Sequence, residues 1–507
     1  MYNLDIMKNI VEFLNINAEK FANKIAYTDS EHSVDYQTLN NEAKRVASAI
    51  LSKGYRRSPV VLFIDKNIKL IKAIFGCLYS GNFYAIIDTQ MPVDRINSIF
   101  SSLNPKLVIY DKPFEEKVKE LKVENVECVD DYLNAEIDEN LLKSAMDELI
   151  DTDLAYALYT SGSTGVPKGA VINHNTLLRY IEWYKNEFDI NENTIFGGQT
   201  PLYFSASVSD FFATMVAGAT YHIIDKKLFT FPIKVIELLN EKKVNTIYWV
   251  PSALCIFANL KVLDYMLPKY LEKVMFIGEV MPTKQLNYWR KFLPDVEYTN
   301  LYGPTETVDV CTFYKIDREF KDDEPLPIGK HCDNCDVFIL KDDNTLAMQG
   351  EEGELCVRGS FLASGYYNNP EKTALAFCQN PLNTAYPERI YRTGDIVKEL
   401  ENGEIMYITR KDFQIKHMGY RIELGEIEMA FSSMENVRNV VSIYDQQEDK
   451  IVVIYEGKAT EEEMYNRASE KLPKYMYPNV LKKVRMMTLN ANGKIDRVYY
   501  KNHYKEL

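Results

Sequence analysis

The chain has 507 residues, of which 46% are hydrophobic and 26% are charged, as is usual for a soluble globular protein. This length exceeds what one hydrophobic core supports and predicts two or three domains. The formal net charge of −14 argues against nucleic acid or an anionic membrane as the main partner.

The amino terminus is charged throughout and lacks the apolar stretch of a signal peptide, and no apolar run approaches the ~20 residues of a membrane span. Eight cysteines are scattered without the spacing of a disulfide framework. The cluster at 331–335 lacks the second Cys/His pair of a zinc site, so we expect reduced thiols. These features predict a cytoplasmic protein with no membrane span.

Strand and helix signals alternate through the first half of the chain, which predicts mainly parallel sheets with helices on both faces. In chain order they are strand 60–64, helix 69–80, strand 84–87, helix 93–103, strand 107–110, and the later strands 245–250 and 274–278.

From about residue 330 the pattern changes to short alternating runs bounded by Gly and Asn, as at 353–359 and 403–408. Such runs are typical of antiparallel sheets or a small barrel. After Arg410 a smaller α+β segment follows, with a helix predicted over 424–434. We therefore expect an N-terminal domain over 1–410, with a β-rich part from about 330, and a C-terminal domain over 411–507.

The segment 159–169 reads YTSGSTGVPKG and directly follows an apolar run. Its glycines let the backbone approach a ligand, and its N–H groups, hydroxyls and lysine suit a polyphosphate. The spacing is not that of a Walker A loop, because the lysine precedes the last glycine. The candidate phosphate ligands are Thr160, Ser161, Gly162, Ser163, Thr164, Gly165 and Lys168.

Three further motifs follow in order. The segment 300–307 reads NLYGPTET, in which Tyr302 offers an aromatic face, Thr305 a hydroxyl and Glu306 a carboxylate able to hold Mg²⁺ between phosphates. The segment 391–395 reads YRTGD, and 492–497 reads NGKIDR.

These motifs, with the block RKDFQIKHMGYRIELGEIE at 410–428, closely resemble those of the adenylate-forming superfamily, which includes acyl-CoA synthetases, luciferases and peptide-synthetase adenylation domains. The resemblance runs from about residue 20 to 500. It is greatest to stand-alone amino-acid adenylation enzymes such as D-alanine–carrier-protein ligases. It implies an α/β fold of doubly wound sheets plus a small distorted barrel, followed by a small mobile α+β C-terminal domain.

The resemblance also implies residue roles and the cofactors ATP and Mg²⁺. Lys494 is expected to reach the reacting carboxylate and phosphate oxygens, and Glu306 to bind the metal. Asp395 and Arg410 are expected at the ribose, and Asp412 at the hinge about which the small domain turns. The remaining expected contacts to ATP or its reaction are Asn300, Tyr302, Gly303 and Thr305.

In such enzymes a carboxylic acid attacks the α-phosphate of ATP, and the acyl-adenylate then passes to a thiol. No carrier segment with an attachable serine follows Arg497. We therefore expect the acceptor to be the phosphopantetheine of a separate carrier protein, or coenzyme A. A luciferase-like oxygenase that uses the adenylate shares the nucleotide motifs and stays an alternative.

The predicted acid pocket departs from the family pattern. Amino-acid-activating relatives read F-D-x-S, whose Asp pairs with the substrate α-ammonium, but here the neutral Ser205 stands in its place. Asp309 stands where the family lines the far side of the pocket. The expected pocket residues are Phe204, Ser205, Ser209, Tyr248, Met275, Ile277, Leu301, Asp309 and Val310.

An anion lost at one end of the pocket and gained at the other suggests a displaced cation, as in β-alanine. Asp309 can equally accept a hydrogen bond from a phenol, which keeps hydroxybenzoate-like acids, and an aryl acid–CoA ligase, open. D-alanine stays a third candidate if Asp210 or a water binds its amine instead.

Overall fold

The computed structural model describes residues 7–161, 167–489 and 495–507. In chain order its strands are β1 (Ile25–Thr28), β2 (Ser33–Asp35), β3 (Pro59–Phe63), β4 (Phe83–Ile86), β5 (Leu107–Tyr110), β6 (Val126–Cys128), β7 (Leu154–Thr160), β8 (Lys168–Asn173), β9 (Ile195–Gly198), β10 (Thr220–Ile223), β11 (Thr246–Trp249), β12 (Lys273–Ile277), β13 (Glu297–Tyr302), β14 (Thr312–Lys315), β15 (Lys330–His331), β16 (Cys335–Leu340), β17 (Glu352–Gly359), β18 (Gly365–Tyr366), β19 (Phe377–Gln379), β20 (Arg389–Glu399), β21 (Ile405–Arg410), β22 (Gln414–His417), β23 (Tyr420–Glu423), β24 (Val437–Asp445), β25 (Lys450–Gly457) and β26 (Val480–Val484).

The helices are α1 (Glu12–Lys20), α2 (Tyr36–Ser52), α3 (Ile68–Tyr79), α4 (Val93–Leu103), α5 (Glu115–Val118), α6 (Val129–Leu133), α7 (Glu139–Glu148), α8 (His174–Glu187), α9 (Val208–Ala217), α10 (Pro232–Glu241), α11 (Pro251–Asn259), α12 (Thr283–Phe292), α13 (Pro370–Ala376), α14 (Leu424–Ser432), α15 (Glu461–Lys471) and α16 (Arg497–His503).

The strands and helices predicted for the first half of the chain are confirmed to within a residue or two. Helix α4 shows the physical reason. Ile96, Ile99, Phe100 and Leu103 recur at helical spacing and are all buried, and Asn104 ends the helix in the left-handed region at φ +49°.

Two large sheets form the N-terminal part. One has seven strands in the order β18-β8-β7-β4-β3-β5-β6, and the other has nine in the order β15-β14-β13-β12-β11-β9-β10-β1-β2. The central strands pair in parallel, and antiparallel strands are added towards the edges. Buried side chains from α2, α3, α8 and α9 join strands of both sheets in one apolar cluster, where Phe75 stacks on Phe211 at 5.5 Å between ring centroids.

The β-rich part predicted from about 330 is a sheet of five antiparallel strands, β16-β17-β20-β19 with β21 beside β20. This sheet corresponds to the small distorted barrel that was expected. The mixed α/β fold class is therefore confirmed.

From β22 onward the chain forms a smaller α+β unit with its own apolar cores, built on the hairpin β22–β23 and the sheet β24-β25-β26. It contacts the large part through Arg95 of α4, which pairs with Glu426 of α14, and through Phe204, whose ring meets that of Tyr420 edge-on at 4.7 Å. The division near residue 410 stays our prediction for the domain boundary. In the described part of the chain, no helix is both long and apolar enough to cross a membrane.

Candidate active site

A cavity of about 100 Å³ opens where the ends of β7, β12 and β13 face the hairpin β22–β23. The hairpin contributes Gln414, Lys416 and Arg421 to its wall. Eleven of the residues predicted from the sequence line this cavity, namely Thr160, Ser161, Phe204, Ser205, Ile277, Tyr302, Gly303, Thr305, Asp309, Asp395 and Arg410. Residues expected at the nucleotide and at the acid thus share one continuous space.

Several other predicted residues lie behind the wall. Asn300 donates from Nδ2 to the carbonyl oxygen of Pro327 at 2.7 Å, which is a structural contact between chain segments. Met275, Leu301 and Val310 are buried in the core next to the cavity, not on its surface. Four loop residues and the expected catalytic lysine fall outside the described residues, namely Gly162, Ser163, Thr164, Gly165 and Lys494.

Glu306 is fully buried and is the anion around which the nucleotide end is built. Arg421 Nη1 lies 3.1 and 2.8 Å from its two carboxylate oxygens, Lys168 Nζ lies 3.4 Å from Oε1, and the Tyr366 hydroxyl donates to Oε1 at 2.6 Å. Burial alone would raise the pKa of Glu306, but Arg421 and Lys168 outweigh it and hold that pKa below its ordinary value. Sequence reasoning missed the roles of Arg421 and Tyr366.

The contacts of Glu306 indicate whether this carboxylate could hold Mg²⁺. The described residues contain no cluster of three or more His, Cys, Asp or Glu side chains that could hold a metal ion. Magnesium is usually held by one or two carboxylates plus substrate phosphates, and Glu306 is an ionised carboxylate of that kind. It fits the metal only once Arg421 withdraws, because the two cations now neutralise it.

The expected ribose carboxylate, Asp395, is also paired on both oxygens. Arg410 Nη1 donates to Oδ1 at 2.8 Å, and the hydroxyl of Tyr302 donates to Oδ2. Arg410 simultaneously binds both oxygens of the expected hinge residue Asp412, at 2.7 and 2.8 Å. Lys416 stands over the Tyr302 ring at 5.4 Å from its centroid, another contact that the sequence did not predict.

Two hydroxyls mark the described edge of the phosphate loop. Thr160 Oγ1 is buried and has no hydrogen-bond partner among the described residues, and Ser161 Oγ donates to the carbonyl oxygen of Arg421 at 2.7 Å. Burial lowers the pKa of the neighbouring Lys168 to about 8. An unpartnered buried donor beside half-buried cations suits an anionic ligand such as a phosphate.

A strained turn positions Asp309 at the expected acid-binding end of the cavity. Val308 has φ +68° and ψ −67°, and the N–H of Asp309 donates to the carbonyl oxygen of Thr307 at 2.8 Å. This is a γ-turn with positive φ, a conformation that is rare for a β-branched residue and costs about 1–3 kcal/mol. Gly303 is required beside it, because a Cβ there would stand 2.1 Å from the carbonyl oxygen of Asp309.

The turn directs Asp309 into a buried site on the cavity wall. Ser209 Oγ donates to its Oδ2 at 2.5 Å, and the Tyr248 hydroxyl donates to the same oxygen at 2.6 Å. Oδ1 accepts no hydrogen bond from the part of the chain that the structure describes. Burial raises the pKa of Asp309 to about 7, although these hydrogen bonds oppose the shift.

At the other end of the acid pocket the polar group is neutral. Ser205 Oγ lies 3.1 Å from Thr305 Oγ1, so the position usual for an α-ammonium partner carries only a hydroxyl. Asp210 is buried, accepts the N–H of Phe211 at 2.8 Å and is not part of the cavity wall. Asp309 is therefore the one carboxylate that lines the acid end among the described residues.

A sequence profile of the family described as AMP-binding enzyme matches residues 14–367, well over half of the chain. The chain belongs to the AMP-binding enzymes. This is the adenylate-forming superfamily that its motifs resemble.

Two named relatives are consistent with membership of this family. Tyrocidine synthase 1 of Brevibacillus parabrevis is 32% identical over 498 residues, which are 97% of this chain but only 44% of that protein. Zwittermicin A synthase ZmaJ of Bacillus cereus is 32% identical over 490 residues, 94% of this chain and 91% of that protein. The chain thus spans less than half of the first relative and most of the second.

A solved structure supports the fold. It is NpsA-ThdA of Klebsiella oxytoca, described as an artificially fused adenylation–PCP di-domain. It superimposes with a TM-score of 0.79 over 94% of each chain, at 17% sequence identity.

We expect Glu306→Gln to destabilise the nucleotide-free protein, because it leaves the half-buried charges of Arg421 and Lys168 without their fully buried counter-ion. Removing one partner of a buried ion pair costs about 3–5 kcal/mol, which should lower the thermal midpoint of unfolding clearly. The double variant with Arg421→Gln should lose less than the sum of the two single changes. Glu237→Gln, whose pair with Lys234 is exposed, serves as the control and should barely move the midpoint.

Proposed function

We propose that the enzyme uses ATP to activate a small carboxylic acid whose ammonium group lies beyond the α-carbon, such as β-alanine. The acyl-adenylate then passes to the phosphopantetheine thiol of a separate carrier protein. The observation that carries the proposal is that the cavity is lined both by the neutral Ser205, whose hydroxyl lies against Thr305, and by the buried carboxyl of Asp309.

The charges along the cavity support this substrate. A charge-assisted hydrogen bond is worth about 1.5–3 kcal/mol, and an α-ammonium facing Ser205 would forgo it. An ammonium further along the acid would instead meet Oδ1 of Asp309, which has no partner of its own among the described residues. The cation would in turn favour the ionised form of a carboxyl whose pKa burial raises to about 7.

In the first half-reaction a carboxylate oxygen of the acid attacks the α-phosphorus of ATP. The new P–O bond forms as the bond to the pyrophosphate oxygen breaks, and pyrophosphate leaves. The residues we assign here are Lys494 at the reacting oxygens, and Lys168 with the loop hydroxyls at the phosphates. Mg²⁺ bound by Glu306 would neutralise charge on the phosphates.

In the second half-reaction the thiol sulfur attacks the acyl carbon, the C–O bond to AMP breaks, and the thiol proton is released. A carrier protein is supported as the thiol source by the likeness to NpsA-ThdA, in which an adenylation part and a PCP part were joined artificially. Coenzyme A is the alternative acceptor, and loading assays with each thiol distinguish them. Persistent pyrophosphate exchange without any thioester would favour an adenylate-using oxygenase.

An ATP–pyrophosphate exchange screen tests the acid. It should compare β-alanine, D-alanine, L-alanine, propionate and hydroxybenzoates at equal concentration. We expect β-alanine or a similar amino acid to exceed both alanines and propionate. A preference for D-alanine would make the protein an ordinary D-alanine ligase, and a preference for hydroxybenzoate would assign Asp309 to a phenol.

Asp395→Ala is expected to raise the KM for ATP and to leave the order of acid preference unchanged, because Asp395 is bonded to Arg410 and Tyr302 and shares no hydrogen-bond partner with Asp309 among the described residues. Steady-state exchange kinetics with ATP and each acid varied in turn provide the measurement. An altered acid preference with an unchanged ATP KM would exclude the ribose role.

The pH dependence should distinguish a cationic substrate from a neutral one. Asp309 must be ionised to pair with an ammonium, and its folded-state pKa is about 7, so kcat/KM for β-alanine should rise as the pH increases through about 7. Propionate, which needs no anion at that position, should lack this limb. Asp309→Asn should abolish the limb for β-alanine, and a limb that survives in Asp309→Asn would assign it to another group.

Substitutions at Ser205 and Asp309 should change which acids the enzyme prefers. Asp309→Ala should lower kcat/KM for the native amino acid by a factor of tens or more, in line with about 2–5 kcal/mol for breaking a buried charged pair. Ser205→Asp should favour α-amino acids relative to that substrate. The combined variant should shift the preference further than either change, whereas no effect of Asp309→Ala would refute the displaced-ammonium assignment.

A further inference from the structure

Behind Asp309 stands a phenol that belongs to none of the sequence motifs. Tyr180 lies in the middle of α8 and is completely buried. Its hydroxyl is 2.6 Å from Ser209 Oγ and 3.5 Å from Asp309 Oδ2. Tyr180, Ser209 and Tyr248 come from α8, α9 and β11, so three separate elements converge on one carboxylate oxygen.

The number of hydroxyl protons determines which group donates in each hydrogen bond of this cluster. An ionised Asp309 only accepts, so Ser209 and Tyr248 each direct their single hydroxyl proton at Oδ2, at 2.5 and 2.6 Å. Ser209 Oγ is then left as the acceptor for the Tyr180 hydroxyl, whose distance to Oδ2 is much longer than its distance to Ser209. Tyr180 therefore acts on Asp309 through Ser209, in a chain whose members strengthen one another.

We propose that Tyr180 is a specificity-determining positioning residue: through Ser209 it fixes Oδ2 of Asp309 and leaves Oδ1 as the acceptor offered to the far end of the substrate. This inference rests on the proposed function and adds the group that determines how Asp309 is presented. It also explains why one carboxylate oxygen has strong donors while the other has none among the described residues.

Other polar groups near Asp309 differ from Tyr180. Lys416 of β22 is half-buried and its charge favours the ionised form of Asp309, while the Asp210 carboxyl on α9 opposes it. Tyr156 of β7 and Tyr184 of α8 are close enough to sense the charge of Asp309 but donate no hydrogen bond to it. Within the described part of the chain the Tyr184 hydroxyl donates only to Met275 Sδ, at 3.5 Å, so Tyr184 is a matched control one helical turn from Tyr180.

The test compares Tyr180→Phe with Tyr184→Phe, each of which removes one buried phenolic oxygen from the same helix. Pyrophosphate exchange is measured with β-alanine and with propionate, its uncharged analogue, across pH 5.5 to 9. For Tyr180→Phe we expect kcat/KM for β-alanine to fall about fivefold relative to propionate, the loss of one modest hydrogen bond. The pH at which kcat/KM rises should shift to a higher value for β-alanine only. Tyr184→Phe should change neither.

Two further measurements separate positioning from damage to the fold. Ser209→Ala removes the hydroxyl through which Tyr180 acts, so it should reproduce the loss, and adding Tyr180→Phe to it should change the β-alanine to propionate ratio no further. If Tyr180→Phe has a lowered thermal midpoint, the β-alanine to propionate ratio remains the readout, because both rates are measured on the same enzyme sample and a loss of folded protein would lower them equally.

The results distinguish a failure of the role of Tyr180 from a failure of the proposed substrate class. Equal effects of Tyr180→Phe and Tyr184→Phe, in an enzyme that prefers β-alanine to propionate, would overturn the role of Tyr180 alone. A wild-type enzyme with no such preference would overturn the proposed substrate class and this inference together.

Discussion

The nucleotide end of this enzyme depends on one buried carboxylate, that of Glu306. Four segments meet on it: the turn after β13, Lys168 at the start of β8, Tyr366 of β18 and Arg421 of β23. A lone buried anion would be costly, so the two cations are needed for the carboxylate to stay ionised. They also leave the cluster with one excess positive charge, which suits a cavity meant for phosphates.

Asp309, at the proposed acid-binding end, is stabilised in a different way from Glu306. There the carboxyl of Asp309 is stabilised by neutral hydroxyls, which lower the cost of the charge without cancelling it. A carboxylate held in this way keeps its attraction for a cation, whereas one paired with arginine would have lost it. The cavity thus has a cationic region near Glu306 and an anionic group at Asp309, an arrangement that would orient the proposed amino acid with its carboxylate towards the cationic region.

Much of this was predictable from the sequence, and the exceptions have physical causes. The alternating strands and helices follow from local periodicity, and the resemblance of the motifs to those of the superfamily pointed to Asp395 and Arg410, which line the cavity. Arg421 lies within a recognised motif, but its partner is 115 residues away in the chain and could not be inferred locally. Tyr180 lies on the buried face of an amphipathic helix, where an aromatic residue is normally part of the core.

The strained turn at Val308 was the least predictable feature, since β-branched residues disfavour positive φ. It has a practical consequence for protein engineers. Because the turn fixes the spacing between Glu306 and Asp309, and a Cβ at Gly303 would clash with the carbonyl oxygen of Asp309, the positions of residues 302–309 depend on one another. On the proposed assignment of Asp309, acid selectivity should therefore be transplanted between relatives as the whole segment 302–309, since a lone carboxylate grafted at position 309 of another backbone would point elsewhere.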